Sequence, residues 1–376
     1  MALEVLTRVR RDDAFANLLL PELLDSADLD RRDAGFTTAL TYGALRLQGR
    51  YDAMIAACTD RPLERIEPAV LDVLRLGAHQ LMGMRVPPHA AVSTTVDLAT
   101  DSCGRGAATF VNAIMRRLSD QDLEAWLVLL GRDAPDEAAA LARTQSHPEW
   151  IVKALRQALV THGRSAEELE ALLVADNTDP EVVLCARPGL IAPEALTKAA
   201  RRSDRAHDVE PRLGRVSPLA VVLVGGDPAR IEAIRDCRAG VEDEGSQLAA
   251  LIAAEAPLDG RDEYWLDLCA GPGGKAALLA ARAAQKGAHL VANEISTHRA
   301  DLVASALRAV PREVARVRCG DGRDLGIDEP GRYDRVLVDA PCTGLGSLRR
   351  RPEARWRRRP GDVTVLAELQ RELLAS

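Results

Sequence analysis

Aromatic residues are scarce in this chain. Phe, Trp and Tyr make up only 3% of its 376 residues, whereas 47% of the residues are apolar. The cores must therefore be built from Ala, Leu and Val, which suits helices and buried parallel strands. Single cores stop growing at about 250 to 300 residues, so we expect at least two domains.

The sequence also lacks long apolar runs and paired cysteines. No stretch approaches the about 20 uncharged residues that span a bilayer, and residues 1–11 lack the apolar stretch of a secretory signal. The seven cysteines are scattered, never spaced as Cys-x-x-Cys and never near a His pair. This spacing argues against zinc and against a disulfide framework. We expect a cytoplasmic protein with no membrane partner and no metal.

The net charge of -7 does not indicate a nucleic-acid partner, because phosphate binding depends on Lys and Arg. One segment around Trp356 departs from this balance. Its arginines are Arg349, Arg350, Arg351, Arg355, Arg357, Arg358 and Arg359. Such a density could bind a phosphate backbone and stack a base. A solvated charged helix or loop is the alternative, and the sequence leaves both open.

Helical periodicity dominates the first third of the chain. Residues 2–118 contain no convincing period-two strand, and apolar spacing predicts a helix that begins just after Pro68 and another that begins near Ala90. We expect an all-α bundle over residues 1–130. Short apolar runs at 182–185 and 219–224 indicate a small α+β linking domain over residues 140–238.

After Gly245, strands and helices alternate. Strands are predicted at 264–268, 289–292, 314–318 and 333–338, and helices at 275–284 and 296–310. This alternation is typical of βαβ units, and it predicts a Rossmann-like α/β domain over residues 239–376 with a parallel sheet. The ligand of such a sheet binds at the carboxyl ends of its strands.

A glycine-rich turn joins the first of these strands to the first helix. It consists of Cys269, Ala270, Gly271, Pro272, Gly273, Gly274 and Lys275. A phosphate-binding P-loop would need Gly at 269 and Ser or Thr at 276, so Cys269 and Ala276 exclude it. A dinucleotide site remains open, because Gly271, Gly273 and Ala276 fit the relaxed fingerprint and Glu294 follows at the distance of a ribose ligand.

Four acids favour a different ligand. Asp267, Glu294, Asp321 and Asp339 each stand at the end of a predicted strand. Together they would repel a pyrophosphate, whereas the sulfonium, ammonium and ribose hydroxyls of S-adenosylmethionine suit carboxylates. Any one of these acids could be a turn residue or a helix cap, but capping explains the presence of all four at strand ends less well. We interpret the crevice as a methyl-donor site.

The segment Val338-Asp339-Ala340-Pro341-Cys342 adds a thiol to that crevice. C5 of cytosine is a poor nucleophile, and addition of a cysteine thiolate at C6 makes an enamine that attacks a methyl group. Loss of the C5 proton then lets the thiolate leave by elimination. This chemistry needs a low-pKa cysteine, an acid near the ring nitrogen, and an unstacked base.

Several segments together resemble one family, the RNA 5-methylcytosine methyltransferases of the RsmB (Sun, Fmu) branch, which act on small-subunit ribosomal RNA. In the catalytic half they are Asp243-Glu244-Gly245-Ser246-Gln247, residues 269–275, Gly320-Asp321-Gly322-Arg323 and Asp339-Ala340-Pro341-Cys342-Thr343-Gly344. In front, residues 74–81, 88–92 and 110–113 resemble its NusB-like RNA-binding domain, and residues 146–150 resemble the start of its linking domain.

The resemblance implies a monomeric enzyme that binds S-adenosylmethionine and RNA. Residues 269–275 would line the methionine part of the cofactor and Glu294 would hold the ribose. Asp321 and Asp339 would complete the pocket, with Arg299 as a further candidate. A non-catalytic NusB-like RNA-binding or antitermination factor is the main alternative, and a dehydrogenase is a more distant one.

One departure concerns the nucleophile. The family uses a Thr-Cys motif after the fifth strand for attack, and its Pro-Cys, here Cys342, assists product release. This chain contains no Thr-Cys and ends at Ser376. The resemblance then implies that three of the usual seven strands are missing and that the fourth strand is an open edge. We expect this chain alone to bind cofactor weakly and not to methylate. The alternative makes Cys342 the nucleophile, as in DNA cytosine methyltransferases.

Overall fold

The computed structural model describes residues 1–203, 210–223 and 226–376, so Val224, the end of one predicted apolar run, lies outside the described residues. Two compact units are present. The helical unit consists of Met1–Pro180 and Gly344–Pro360, and the α/β unit consists of Glu181–Thr343 and Gly361–Ser376. The predicted borders at 130, 140 and 238 stay predictions.

Helices predominate in the described part of the chain. They are α1 (Ala2–Arg11), α2 (Ala16–Ser26), α3 (Arg31–Arg46), α4 (Gln48–Ala57), α5 (Pro68–Met82), α6 (Pro88–Cys103), α7 (Arg105–Ser119), α8 (Leu123–Arg132), α9 (Glu137–Thr144), α10 (Glu149–Thr161), α11 (Leu169–Asp176), α12 (Pro193–Ser203), α13 (Glu232–Arg235), α14 (Glu244–Glu255), α15 (Gly274–Lys286), α16 (Thr297–Ala306), α17 (Leu325–Asp328), α18 (Ala354–Arg357) and α19 (Pro360–Ala375). None of these described helices has the length and apolar character needed to cross a bilayer.

The described strands are β1 (Val182–Ala186), β2 (Arg212–Leu213), β3 (Ala220–Leu223), β4 (Ala239–Val241), β5 (Tyr264–Asp267), β6 (His289–Glu294), β7 (Ala315–Cys319) and β8 (Arg335–Leu337). They form two four-stranded sheets, ordered β2-β3-β1-β4 and β7-β6-β5-β8. The first sheet is antiparallel and the second is parallel. Both the α+β insert and the parallel Rossmann-like sheet predicted from the sequence are therefore confirmed.

The helical unit is built on α5, α6 and α7. Pro68 occupies the first turn of α5, where its missing N–H costs nothing, so the predicted helix start is confirmed. Pro88 does the same for α6, which begins two residues before the expected Ala90. Fully buried Tyr51, Leu74 and Met115 belong to one core that these helices share. The prediction of an all-α bundle is confirmed.

The parallel sheet positions the candidate site. In the register, Leu266 of β5 pairs with Val291 of β6 on one side and with Val336 of β8 on the other. Alanines of α15 pack on this sheet, which lets helix and strands approach closely without aromatic filling. Among the described residues β8 has a strand on one side only, so it forms an edge of the sheet, as predicted.

The arginine-rich segment belongs to the helical unit, and we call Gly344–Pro360 the arginine arm. The interpretation of its arginines as a solvated helix is wrong for Arg355, which is 0% exposed. Because α18 lasts only four residues and turns Arg355 inward, the arginines of the arm do not share one environment. Arg349, Arg351 and Arg359 are exposed.

Candidate active site

The glycine-rich turn forms a backbone cradle between β5 and α15. Gly271 donates its N–H to Glu294 Oε2 over 3.1 Å, and its peptide bond to Pro272 is cis. A Cβ atom on Gly271 would lie 2.2 Å from that oxygen. Gly273 has φ +113°, a conformation that L side chains rarely adopt, and it precedes the free N–H groups of the α15 N-terminus. The turn thus requires glycine for close approach and for its conformation.

Glu294 ends β6 and is held on three sides. Besides Gly271, its carboxylate accepts a hydrogen bond from Ser296 N at 2.9 Å and contacts an Arg299 guanidinium nitrogen at 2.7 Å. Only 3% of Glu294 is exposed. The structure therefore brings together Glu294, the glycine turn and Arg299, which was a further candidate from the resemblance.

Asp267, at the end of β5, is a buried carboxyl group. It is 1% exposed, and among the described residues neither oxygen has a well-formed hydrogen bond. Burial, together with the charge of Asp339, raises the pKa of Asp267 to about 7, although the Cys269 N–H counteracts part of this. A buried carboxylate without partners is costly, and a cationic ligand would relieve that cost.

Lys275 and Asp339 form an ion pair beside Asp267. Lys275 Nζ lies 2.8 Å from Asp339 Oδ2 and donates to Ser246 Oγ at 3.3 Å. Although burial disfavours the ammonium, the hydrogen bond and charge of Asp339 raise the pKa of Lys275. The Asp339 side chain is 55% exposed, so this end of the pair faces outward.

Asp321 stands apart from the other acids. Its carboxylate accepts hydrogen bonds from Arg323 N at 3.0 Å and from the Arg323 guanidinium at 2.6 Å, which lower the pKa of Asp321. No described contact joins Asp321 to the other three acids. Arg323 in turn contacts Glu372 of α19 at 2.7 Å. All four predicted acids thus lie at or just after the ends of parallel strands, but only Asp267 and Asp339 act on each other electrostatically.

Two polar residues at the site were not predicted. Asn293 donates to Leu268 O at 3.0 Å and to Gly320 O at 3.1 Å, so it ties the ends of three strands together. Glu242 is buried next to Gly274, and burial raises its pKa to about 7 against the opposing charge of Lys275. Only their positions in the sequence could have indicated these two residues, since Glu242 directly precedes the Asp243 motif and Asn293 directly precedes Glu294.

The two cysteines of the site differ in character. Burial, reinforced by the charge of Asp267, raises the pKa of Cys269 to about 11, which keeps it a thiol at neutral pH. Cys342 is exposed and follows Asp339 by three residues. Of the two, Cys342 is the one accessible to a substrate. Within the described residues, no group of three or more His, Cys, Asp or Glu side chains is placed to hold a metal ion.

The parallel sheet, the glycine cradle and the acids at its strand ends define a methyltransferase of the Rossmann-like class. Residues 256–376 match a family model described as 16S rRNA methyltransferase RsmB/F, and residues 1–120 match the NusB family. The chain belongs to the RsmB family of S-adenosylmethionine-dependent RNA methyltransferases.

Similar proteins cover the whole chain. A putative methyltransferase of Mycobacterium tuberculosis is 49% identical over 100% of this chain and 79% of its own length. The probable ribosomal RNA small subunit methyltransferase B of Bacillus subtilis is 30% identical over 100% of this chain and 80% of its own length. The crystal structure of the protein PH0851 shares the fold, with a TM-score of 0.73 over 95% of this chain and 76% of that one, at 19% identity.

Proposed function

We propose that this protein methylates C5 of a cytosine in small-subunit ribosomal RNA, as a monomer in the cytoplasm. The observation that carries the proposal is the Lys275–Asp339 ion pair beside the buried carboxyl of Asp267, which has no well-formed hydrogen bond among the described residues. The Bacillus subtilis relative and a 30% identical Pseudomonas putida protein, which is named ribosomal RNA small subunit methyltransferase B, support the substrate class.

The residues at the cradle fit S-adenosylmethionine. Asp267 and Asp339 offer negative charge to its ammonium and sulfonium groups, and the N–H groups at the α15 N-terminus suit its carboxylate. Glu294 is placed for the ribose hydroxyls, and the glycines at 271 and 273 leave room for a ligand against the backbone. When bound, the cofactor supplies the methyl group.

Two of the remaining roles are assigned to side chains of this chain, whereas the Thr-Cys thiolate that the family uses to add at C6 is not among its residues. Asp339 is assigned to the ring nitrogen of the cytosine, and Lys275 orients the Asp339 carboxyl group through their 2.8 Å contact. Cys342 is assigned to product release, the role that the family resemblance gives to its Pro-Cys. Asp321 is assigned to the cofactor pocket, once a ligand draws its carboxylate away from Arg323.

A non-catalytic RNA-binding factor explains the helical unit but leaves the cradle and its acids without a purpose. A dehydrogenase is disfavoured because Asp267 and Asp339 would stand against a pyrophosphate. We also propose that residues 1–130, 140–238 and 239–376 are the RNA-binding, linking and catalytic domains.

Deletion of the gene followed by bisulfite sequencing of small-subunit ribosomal RNA tests the proposal. One 5-methylcytosine is expected to disappear, and a wild-type copy should restore it. A copy carrying Lys275→Met or Asp339→Asn should not restore it, whereas Lys286→Met, on the far end of α15, should. An unchanged methylation pattern after deletion would refute the proposed function.

A further inference from the structure

The arginine arm is anchored in the helical unit by Arg355. Its guanidinium donates to Ser146 O at 2.8 Å, to Asn177 Oδ1 at 2.9 Å and to Arg46 O at 3.3 Å. These acceptors are neutral, and burial lowers the pKa of Arg355 to about 10, which leaves it charged at neutral pH. A buried guanidinium with several acceptors fixes its segment in one position.

Two neighbours of Arg355 complete the anchor. Arg357 donates to Val9 O at 3.1 Å and to Ala14 O at 2.5 Å. Trp356 packs on α4 so closely that a Cβ atom on Gly49 would lie 2.3 Å from its ring. The arm is therefore a built part of the helical unit rather than a loose loop.

This anchoring leaves positive charge on the surface. Seven arginines of the arm stand against one acid, Glu353, in a chain whose net charge is -7. Glu353 is 3% exposed, whereas exposed Asp13 lies 3.7 Å from Arg357 and exposed Asp179 accepts a hydrogen bond from Arg349 at its backbone oxygen. Arg349, Arg351 and Arg359 are exposed. The arm thus concentrates cationic groups on an otherwise acidic protein.

An aromatic ring lies under two of these guanidinium groups. Phe15 is 43% exposed, and the guanidinium carbons of Arg351 and Arg357 lie 5.5 Å and 5.1 Å from its ring centroid. Arg357 is tethered to the backbone beneath, whereas Arg351 is exposed. Guanidinium planes and aromatic faces are the surfaces on which unpaired bases stack, and neighbouring arginines bind the phosphates.

We propose that the arginine arm and Phe15 form a docking surface for single-stranded RNA, with a base stacked at Phe15 and Arg351 and phosphates bound by Arg349 and its neighbours. The choice of RNA over another polyanion rests on the proposed function. A polar concavity between α6 and α7 has a volume of about 480 Å³ and includes His89, Asp97 and Arg116. It lacks a charge comparable to that of the arm, and it is the competing location for RNA binding.

Fluorescence anisotropy with a labelled single strand of small-subunit ribosomal RNA, without methyl donor, tests this surface. Arg349→Ser with Arg351→Ser should lower the slope of log affinity against log salt by about 0.7, since the phosphate contact of Arg349 on a single strand contributes about 0.7. Loss of stacking at Arg351 should lower the affinity further. Exposed Arg32 and Arg105, both changed to Ser, are the control for net charge. Phe15→Leu should weaken binding about tenfold. Phe36→Leu, 41% exposed and without a described arginine over its ring, should not.

Three results would overturn the surface. An equal loss of RNA affinity in the variant of Arg32 and Arg105 would indicate that diffuse charge, not the arm, binds RNA. A loss of RNA affinity with Arg116→Ser but not with the arm variants would assign RNA binding to the face formed by α6 and α7. Equal affinity for the annealed duplex would exclude base stacking. The variant with both Arg349→Lys and Arg351→Lys controls for misfolding, because lysine keeps the positive charge. It should keep the salt slope and lose only the affinity that stacking on the guanidinium contributes. RNA binding at the arm, together with an unchanged methylation pattern after gene deletion, would instead refute only the proposed function.

Discussion

Asp267 combines an unfavourable burial with the position best suited to a cationic ligand. Its folded pKa of about 7 lies above the ordinary 3.8, so the folded protein holds a proton that the unfolded chain releases between these values. The free energy of unfolding should therefore fall as pH rises through that window. Cofactor affinity should rise over the upper part of the same window, because the ionised carboxyl is the one that attracts a sulfonium and an ammonium.

Asp267→Asn should separate these two effects. At pH 8 we expect the variant to be more stable than the wild type by roughly 2 kcal/mol, since it carries no buried charge. Its affinity for S-adenosylmethionine should fall about tenfold and lose its pH dependence. Urea unfolding and calorimetric titration at pH 6 and pH 8 measure both quantities.

Asp262→Asn is the matched control. The hydrogen bond from Arg335 lowers the pKa of Asp262, so its carboxylate stabilises the folded state above its unfolded pKa. This variant should lose stability at pH 8 and keep cofactor affinity. A stability loss in Asp267→Asn of the same sign would contradict the account of Asp267.

Single residues show what a sequence can and cannot predict about a site. Asp267, Glu294 and Asp339 were predictable because strand ends on one edge of a parallel sheet are fixed by the alternation of elements. The pairing of Asp321 with Arg323 was not, since it depends on a rotamer choice within one short turn. Glu242 was missed because its burial comes from the first sheet and α15, which no local pattern reports.

At the scale of elements, the cradle depends on Gly271. Gly271→Ala would force a Cβ atom to 2.2 Å from Glu294 Oε2, so either the turn or the acid must move. We expect cofactor binding to become undetectable while the α/β unit stays folded, measured by calorimetric titration and circular dichroism. Gly361→Ala in α19, where a Cβ atom meets nothing within 4 Å, should bind cofactor normally. Retained binding in Gly271→Ala would exclude the cradle as the cofactor site.

The contact between α4 and the arginine arm can be tested in the same way. Gly49→Ala places a Cβ atom 2.3 Å from the Trp356 ring, and we expect a loss of about 1–3 kcal/mol in the stability of the helical unit. Gly106→Ala in α7 meets nothing within 4 Å and should be neutral or slightly stabilising, since alanine is the better helix former. Equal unfolding midpoints in urea for the two variants would mean that Trp356 does not hold the arm.

Element predictions succeeded where periodicity is local and failed where a distant partner decides. The helix after Pro68 and the four parallel strands follow from apolar spacing alone. The arginine arm does not, because its course is set by carbonyl groups of Arg46 and Ser146, some 200 to 300 residues earlier. A run of arginines in a sequence predicts local positive charge, whereas the burial of Arg355 depends on tertiary contacts.

For the whole molecule, the two proposals divide ligand binding between the two units. The cradle residues lie in the α/β unit, and the arm with Phe15 lies in the helical unit. We therefore expect the two binding functions to be separable. Arg349→Ser with Arg351→Ser should bind S-adenosylmethionine within about twofold of the wild type, the range typical of independent sites.

The reciprocal variant completes this test. Gly271→Ala should bind single-stranded RNA with the wild-type affinity and salt slope, although it no longer binds the methyl donor. Anisotropy and calorimetric titration on the same protein samples compare the two losses directly. If the arm variants also lost cofactor affinity, the arm would have to act on the cradle as well, because a change of surface charge alone does not remove a buried ligand contact. Its link to the Cys342 segment, seven residues before Arg349, would then be the connection to examine.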